Sequence, residues 1–227
     1  MDIVRMRAQL EARYPLITTE VETAARVWKV TCVQDQDTLL DYAEELEYFP
    51  YGFLLWDAAI GLARMLAGDP ALVAGKRVLE LGAGVGLPGI VARSLGADVC
   101  QTDHQTHALW LAQVNACENG VEGITTFAAD WQTWTHPHRY DVVLGADILY
   151  ERGMHFYLED VFGRVVAPGG KLLLSDPGRP QAMEFAARLE TRGWTLALDT
   201  QSVLRDEGTQ ISKPVEVMLL TATRTFR

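Results

Sequence analysis

The residues with the clearest chemical signature are Val78-Leu79-Glu80-Leu81-Gly82-Ala83-Gly84-Val85-Gly86-Leu87-Pro88-Gly89. An apolar segment runs into glycines at alternate positions and then into a helix-compatible stretch. Glycine lacks a Cβ and tolerates positive φ, so such a turn lets the backbone N–H groups around Gly82, Ala83, Gly84 and Gly86 approach a ligand closely. Two ligand classes compete for it. A dinucleotide uses the spacing G-x-G-x-x-G, with its pyrophosphate on the helix N-terminus. Here the spacing is G-x-G-x-G, and Glu80 stands two residues before the first glycine. A carboxylate so close repels a pyrophosphate and suits a ligand with an amino group and a sulfonium, such as S-adenosylmethionine (AdoMet). Asp103 follows about 20 residues later, where an acid accepts hydrogen bonds from ribose hydroxyls; dinucleotide enzymes share that feature. His104, beside it, falls on the cofactor side or on the surface. Asp130-Trp131 offers an acid for an adenine amino group and an indole to pack on the ring, or an indole that is simply core.

These groups need a scaffold, and the sequence supplies alternating elements. Arg77 to Leu81, Asp98 to Thr102, Ile124 to Ala128, Tyr140 to Ala146 and Lys171 to Ser175 read as five strands. Between them lie helical patterns at Leu87–Leu95, Thr106–Asn119 and Met154–Val166, the last stopped by Pro168-Gly169-Gly170. A further helix, Gln181–Arg192, ends at Gly193. Trp194–Gln201 and Val215–Thr221 add two strands without a long helix between them, as antiparallel neighbours can. Continuous apolar strands alternating with helices predict a doubly wound α/β fold, a seven-stranded mostly parallel sheet covered on both faces. Ahead of it, Leu55, Ala58, Ala59, Leu62, Ala63 and Leu66 mark an amphipathic helix broken by Gly68-Asp69-Pro70. The division is residues 1–50, an N-terminal extension, and residues 51–227, the main domain. In the extension, Arg5–Tyr14 reads as a short helix, Glu20–Val33 as a hairpin or edge pair, and Asp35–Glu47 as a loop with a helical turn.

Composition narrows the classes. A formal net charge of −10 argues against broad contact with a phosphate backbone. Acidity is compatible with a cationic substrate, and equally with solubility alone. No apolar run approaches the roughly 20 residues of a membrane helix. Met1–Leu10 carries no apolar signal core, so a cytoplasmic, monomeric protein is expected. Cys32, Cys100 and Cys117 lack metal-ligand spacing, and His107, His136 and His138 add no metal site.

The stretch Glu80–Gly89 resembles motif I of the seven-β-strand class I AdoMet-dependent methyltransferases. Leu54-Leu55-Trp56-Asp57-Ala58-Ala59 is similar to the pre-motif helix of the lysine methyltransferases among them, and Gly145-Ala146-Asp147-Ile148-Leu149-Tyr150 to their D-x-x-Y motif. The pattern also resembles bacterial proteins called nicotinamide N-methylase-like, and runs from about Tyr48 to the C-terminus. Pro50-Tyr51-Gly52-Phe53 departs from the more usual Pro-Tyr-Trp. The resemblance implies that Trp56, the glycine loop, Asp103, Trp131 and Ala146 line an AdoMet pocket, and that Asp147 and Tyr150 face the methyl group and the substrate.

In that frame Asp147 orients an amine and Tyr150 shapes the methyl channel. A carboxylate favours the ammonium, so Asp147 also suits binding of the substrate cation. In the competing reading Asp147 caps the next helix and Tyr150 packs. Arg179, in Asp176-Pro177-Gly178-Arg179-Pro180, is placed to contact an acidic substrate group but reads more readily as a solvated arginine in a turn. No Asn-Pro-Pro-Tyr pattern follows the fourth strand, which lowers planar amides and adenine as acceptors. The sequence therefore favours an AdoMet-dependent N-methyltransferase acting on a protein lysine. A small-molecule methyltransferase, an NAD(P)-binding oxidoreductase and a non-catalytic binding module are the alternatives.

Overall fold

Strands and helices alternate along the computed structural model, which describes residues 2–24, 26–43, 49–204 and 213–224. The first part of the chain forms α1 (Ile3–Glu11), β1 (Leu16–Thr23), β2 (Arg26–Val33), α2 (Gln36–Ala43) and α3 (Asp57–Gly68). There follow β3 (Arg77–Leu81), α4 (Leu87–Ser94), β4 (Asp98–Asp103), α5 (Thr106–Glu118), β5 (Thr125–Ala128) and β6 (Tyr140–Ala146). The last elements are α6 (His155–Val165), β7 (Val166–Asp176), α7 (Pro180–Thr191), β8 (Trp194–Val203) and β9 (Val215–Arg224).

The main sheet has seven strands in the order β5-β4-β3-β6-β7-β9-β8. Pairing is parallel from β5 to β7, and β9 runs antiparallel to both β7 and β8. The expected seven-stranded, doubly wound architecture is therefore the observed one. Side chains alternate across each strand: Val78 joins the core under α3, α4 and α5, while Leu79 and Leu81 join the core under α6 and α7. Strand order reverses at β3, with β4 on one side and β6 on the other. A crevice opens there beyond the carboxyl ends of the strands.

Three elements differ from the sequence expectation. Lys171–Ser175 is only the end of β7, which begins at Val166, and Pro168-Gly169-Gly170 does not stand outside the sheet. Tyr140 pairs with Val166 but Val142 with Lys171, so Ala167–Gly170 forms a bulge within the strand. Gly170 permits this: a Cβ there would lie 2.9–3.1 Å from the carbonyl oxygens of Ala167, Asp141 and Tyr140. Second, the acidic segment after β2 holds a true helix, α2. Asp35 Oδ1 accepts hydrogen bonds from Thr38 N and Thr38 Oγ1 (2.8 and 2.6 Å), the pattern of an N-cap. Its expected continuation over residues 44–47 lies outside the described residues. Third, α3 starts at Asp57 instead of Leu55; Leu54 is extended and bridges Val33 of β2.

The hairpin β1–β2 forms a separate two-stranded sheet. Its β2 edge is closed by side chains of α5. Asn115 Oδ1 accepts from Thr31 N (2.8 Å), and Asn115 Nδ2 donates to Thr31 O (3.0 Å). One helical turn on, Asn119 makes the same pair with Lys29 N and O (3.0 and 2.7 Å). Residues i and i+2 share one edge of a strand, and i and i+4 one face of a helix. Two asparagine amides thus imitate a neighbouring strand and cover an otherwise exposed edge. Asn115 Nδ2 also donates to Val85 O (2.9 Å), which connects the hairpin to the glycine loop.

Candidate functional site

The loop after β3 takes its shape from three left-handed glycines, Gly82 (φ 62°), Gly84 (φ 51°) and Gly86 (φ 82°). Neighbours press on two of them from opposite sides. A Cβ on Gly82 would lie 2.9 Å from Ile148 Cγ2 and 3.3 Å from Trp131 Cζ2; one on Gly84 would lie 2.9 Å from Gly52 O. The short turn Tyr51–Phe53 therefore crosses directly over the loop. Gly84→Ala combines that clash with a positive φ, itself worth about 1–3 kcal/mol in a residue other than glycine. The variant should lose at least that much unfolding free energy in urea, and an unchanged midpoint would contradict the described loop.

The loop's N–H groups, expected to face a ligand, are largely spent within the protein. Ala83 N donates to Thr102 O (2.9 Å), Gly86 N to Ala83 O (2.8 Å) and Gly84 N to Asp103 Oδ2 (3.0 Å). At the start of α4, Gly89 N donates to Glu80 Oε2 (3.1 Å), which also accepts from Gln101 Nε2 (2.7 Å). A pyrophosphate needs such amides free at a helix N-terminus. Here a side chain of the protein occupies the place, which disfavours a dinucleotide.

The expected role of Glu80 changes accordingly. It lines the pocket, but Oε2 points into the base of α4 and the residue is 1% exposed. Burial pushes its carboxyl up to about 8. Near neutral pH the neutral form prevails, so Glu80 does not present to the ligand the full negative charge that the sequence suggested. Below its ordinary value of 4.5 the group is protonated in both folded and unfolded chains; from there to about 8 only the unfolded chain releases the proton. The contribution to stability is present below 4.5 and is lost as pH rises towards about 8. The unfolding free energy of the wild type relative to Glu80→Gln should fall across that window. A flat difference would mean that Glu80 ionises like an exposed carboxyl.

A cavity of about 460 Å³ occupies the crevice, within the roughly 300–1,000 Å³ of small-molecule sites. Its walls include Trp56, Gly82, Ala83, Gly84, Asp103, His104, Asp130, Trp131, Ala146, Asp147 and Tyr150. The structure thus brings together nearly every residue singled out in the sequence; Gly86 lies behind the loop, where a Cβ would meet Ala112 at 2.6 Å. Asp103, at the end of β4, is 6% exposed, and its Oδ1 accepts from Gln105 N (3.0 Å). Its Oδ2, which among the described residues accepts only from Gly84 N, keeps a second lone pair for a ligand hydroxyl. His104 Nδ1 lies 3.4 Å from Asp103 Oδ1, and that hydrogen bond holds its pKa above the ordinary value. Asp130 Oδ1 is bound to Gln132 N (2.8 Å), which fixes the turn that carries Trp131. Trp56 Nε1 donates to Tyr51 O (3.1 Å). Asp103, Asp130, Asp147 and Glu151 make the lining predominantly acidic.

At the end of β6, Asp147 is the sole described residue other than glycine with positive φ (56°). Its N–H donates to Ser175 O (2.9 Å) while the chain turns sharply off the strand. The next helix, α6, begins at His155, so Asp147 does not cap it. The carboxylate is 8% exposed and ion-paired with Arg179 Nη1, which also contacts Asp176 Oδ2 (3.0 Å). Arg179 is therefore no solvated turn residue, as its proline- and glycine-rich surroundings suggested. Burial raises the pKa of Asp147, with Arg179 acting in the opposite direction. Tyr150 lies 5.7 Å, centroid to centroid, from Tyr51, whose ring is 6.2 Å from that of Trp56. These rings form one wall of the opening. Tyr51, Gln36 of α2 and Arg179 line the cavity without having been singled out as site residues. For Tyr51 the advance signal was proximity to the Leu54–Ala59 motif and for Arg179 the end of a strand; for Gln36 there was none, because a chain-distant element delivers it.

A strand-switch crevice with an acidic lining, a self-satisfied glycine loop and a carboxylate–phenol pair at one end defines a class I methyltransferase type of domain. The chain belongs to the lysine methyltransferase family, whose model matches residues 34–191. It is 30% identical over 137 residues to the electron transfer flavoprotein beta subunit lysine methyltransferase of Mus musculus, covering 58% of this chain and 52% of that protein. To EEF1A lysine methyltransferase 3 of Mus musculus it is 34% identical over 164 residues, covering 70% of this chain and 68% of the relative. The chain thus spans about half the length of the first of these and two thirds of the second. Among solved structures, the T. thermophilus 16S rRNA N2 G1207 methyltransferase (RsmC), in complex with AdoMet and guanosine, superposes with a TM-score of 0.60. It covers 92% of this chain and 51% of that one at 16% identity, and shares the fold alone.

Proposed function

We propose that this chain is an AdoMet-dependent N-methyltransferase that modifies the ε-amine of lysine in another protein. The observation that carries the reading is the pairing of an acidic pocket, whose loop amides are already satisfied, with Asp147 and Tyr150 at its mouth. The residues fit AdoMet: Asp103 for the ribose hydroxyls, Asp130 and Trp131 for the adenine, and the acidic lining for the cationic part. Bound there, AdoMet supplies an electrophilic methyl group on a sulfonium.

The protein then has to align an amine and leave its nitrogen lone pair free. A free lysine, with a pKa near 10.4, enters as the ammonium. Asp147 attracts that cation, and removal from water favours transfer of its proton to Asp147, whose pKa burial raises, or to solvent at the opening, which leaves the neutral amine. Tyr150 is held by burial above the ordinary tyrosine value, so its phenol stays protonated and orients rather than accepts a proton. Tyr51 and Tyr150 remain 42% and 40% exposed at the cavity mouth. An opening on the surface with aromatic walls suits the methylene stem of a lysine carried on a macromolecule.

Tritiated AdoMet, incubated with the chain and a lysate lacking its gene, tests the reading. A labelled protein band that yields methyl-lysine on hydrolysis is the expected result. Label confined to a metabolite would transfer the assignment to a small-molecule acceptor, and methyl-arginine or methyl-histidine would change the residue.

A further inference from the structure

Arg179 reaches the same carboxylate that an acceptor's ammonium must approach. Its Nη1 lies between Asp147 Oδ1 and Asp176 Oδ2, and its backbone N–H donates to Asp176 Oδ1 (2.8 Å). Asp176 is completely buried, Asp147 nearly so, and the Arg179 side chain is 29% exposed at the wall of the cavity. Two buried carboxylates share one guanidinium, so the cluster carries one negative charge more than it neutralises. If Arg179 served only to satisfy Asp176, its contact with Asp147 would be superfluous. The cluster has room for one additional cation, and the cavity supplies the route to it.

We propose that Arg179 is the resident cation of the acceptor site, holding Asp147 until the charged group of an incoming acceptor takes its place. The proposal rests on the cationic-acceptor reading above. On exchange, the ammonium pairs with Asp147 and the guanidinium keeps Asp176. No buried charge is then left alone, and the cluster becomes neutral. A neutral acceptor cannot complete this exchange, because it would strand Asp147 without a counter-charge, a strongly unfavourable state for a buried ion. The arginine therefore acts as a specificity filter for cations and sets a threshold affinity that an acceptor must exceed.

The test uses the full chain saturated with S-adenosylhomocysteine and calorimetric titration with n-butylammonium, a lysine-head analogue. Arg179→Gln should bind it at least tenfold more tightly than the wild type, and the double variant with Asp147→Asn should lose that gain. Arg179→Lys keeps the charge on a shorter side chain that cannot hold both carboxylates as closely, and should fall between. If Arg179→Gln fails to fold by thermal unfolding, the lysine variant decides: tighter binding than wild type supports exchange, and equal or weaker binding overturns it. Equal affinities in wild type and Arg179→Gln would likewise overturn it. So would butyrate binding to the wild type that disappears in Arg179→Gln, which would make Arg179 an anion receptor. Butylammonium binding is read without turnover. Its failure would leave lysine methylation standing, and absence of labelled protein lysine would leave the exchange measurable.

Discussion

Asp147→Asn is expected to lower kcat/KM for the protein acceptor by at least about a hundredfold while AdoMet affinity stays within a few-fold of wild type. The expectation follows from position. Asp147 follows β6, on one side of β3, whereas the ribose- and adenine-facing candidates lie at the ends of β4 and β5, on the other. Misplacing an amine by about 1 Å costs on the order of a hundredfold in rate. Asparagine is the appropriate replacement because it tolerates positive φ nearly as well as aspartate, so the turn that carries it survives. Steady-state kinetics together with calorimetry for AdoMet separates the two effects. Activity within about threefold of wild type would remove Asp147 from the acceptor site, and an equal collapse of AdoMet binding would make it part of the cofactor site.

The largest effect on stability should come from Asn115→Ala. Asn115 is fully buried and satisfies Thr31 N, Thr31 O and Val85 O. Truncation strands all three. A buried backbone group left unpaired costs about 1–3 kcal/mol, so the loss should reach at least about 3 kcal/mol. At roughly 2–4 °C per kcal/mol for a chain of this size, Tm should fall by at least about 6 °C. Differential scanning calorimetry checks this. A shift of only about 1 °C would mean that the hairpin edge is held by other contacts.

What the sequence made legible was what repeats locally. Strand–glycine–helix spacing located the loop, and apolar strands separated by helical patterns gave the number of strands and their mostly parallel pairing. Asp103, Asp130 and Trp131 were found because each lies at, or within three residues of, the carboxyl end of a strand, and strand ends converge in this fold. Contacts that join distant segments were not legible. Nothing in Asn115 or Asn119 announces that their amides replace a strand for Lys29 and Thr31. Arg179 read as solvated because a turn rich in proline and glycine normally is; its partner lies 32 residues away in the chain. Glu80 does line the cavity, but its charge was misjudged because burial acts on it only after folding, against the opposing effect of the Gln101 and Gly89 donors. The α2 helix reads in the sequence only as a helical turn in a loop because its start depends on one aspartate side chain in an otherwise polar stretch.

The left-handed turn at Asp147 has a consequence for engineering. An aspartate held at φ 56° carries a backbone penalty that glycine would not. A procedure that ranks substitutions by folding free energy alone would therefore tend to replace it with glycine and score the result as an improvement. On the role proposed for Asp147, the resulting chain would be relieved of backbone strain and would lose methyl transfer. Thermostabilised versions of this protein should keep position 147 out of the mutable set.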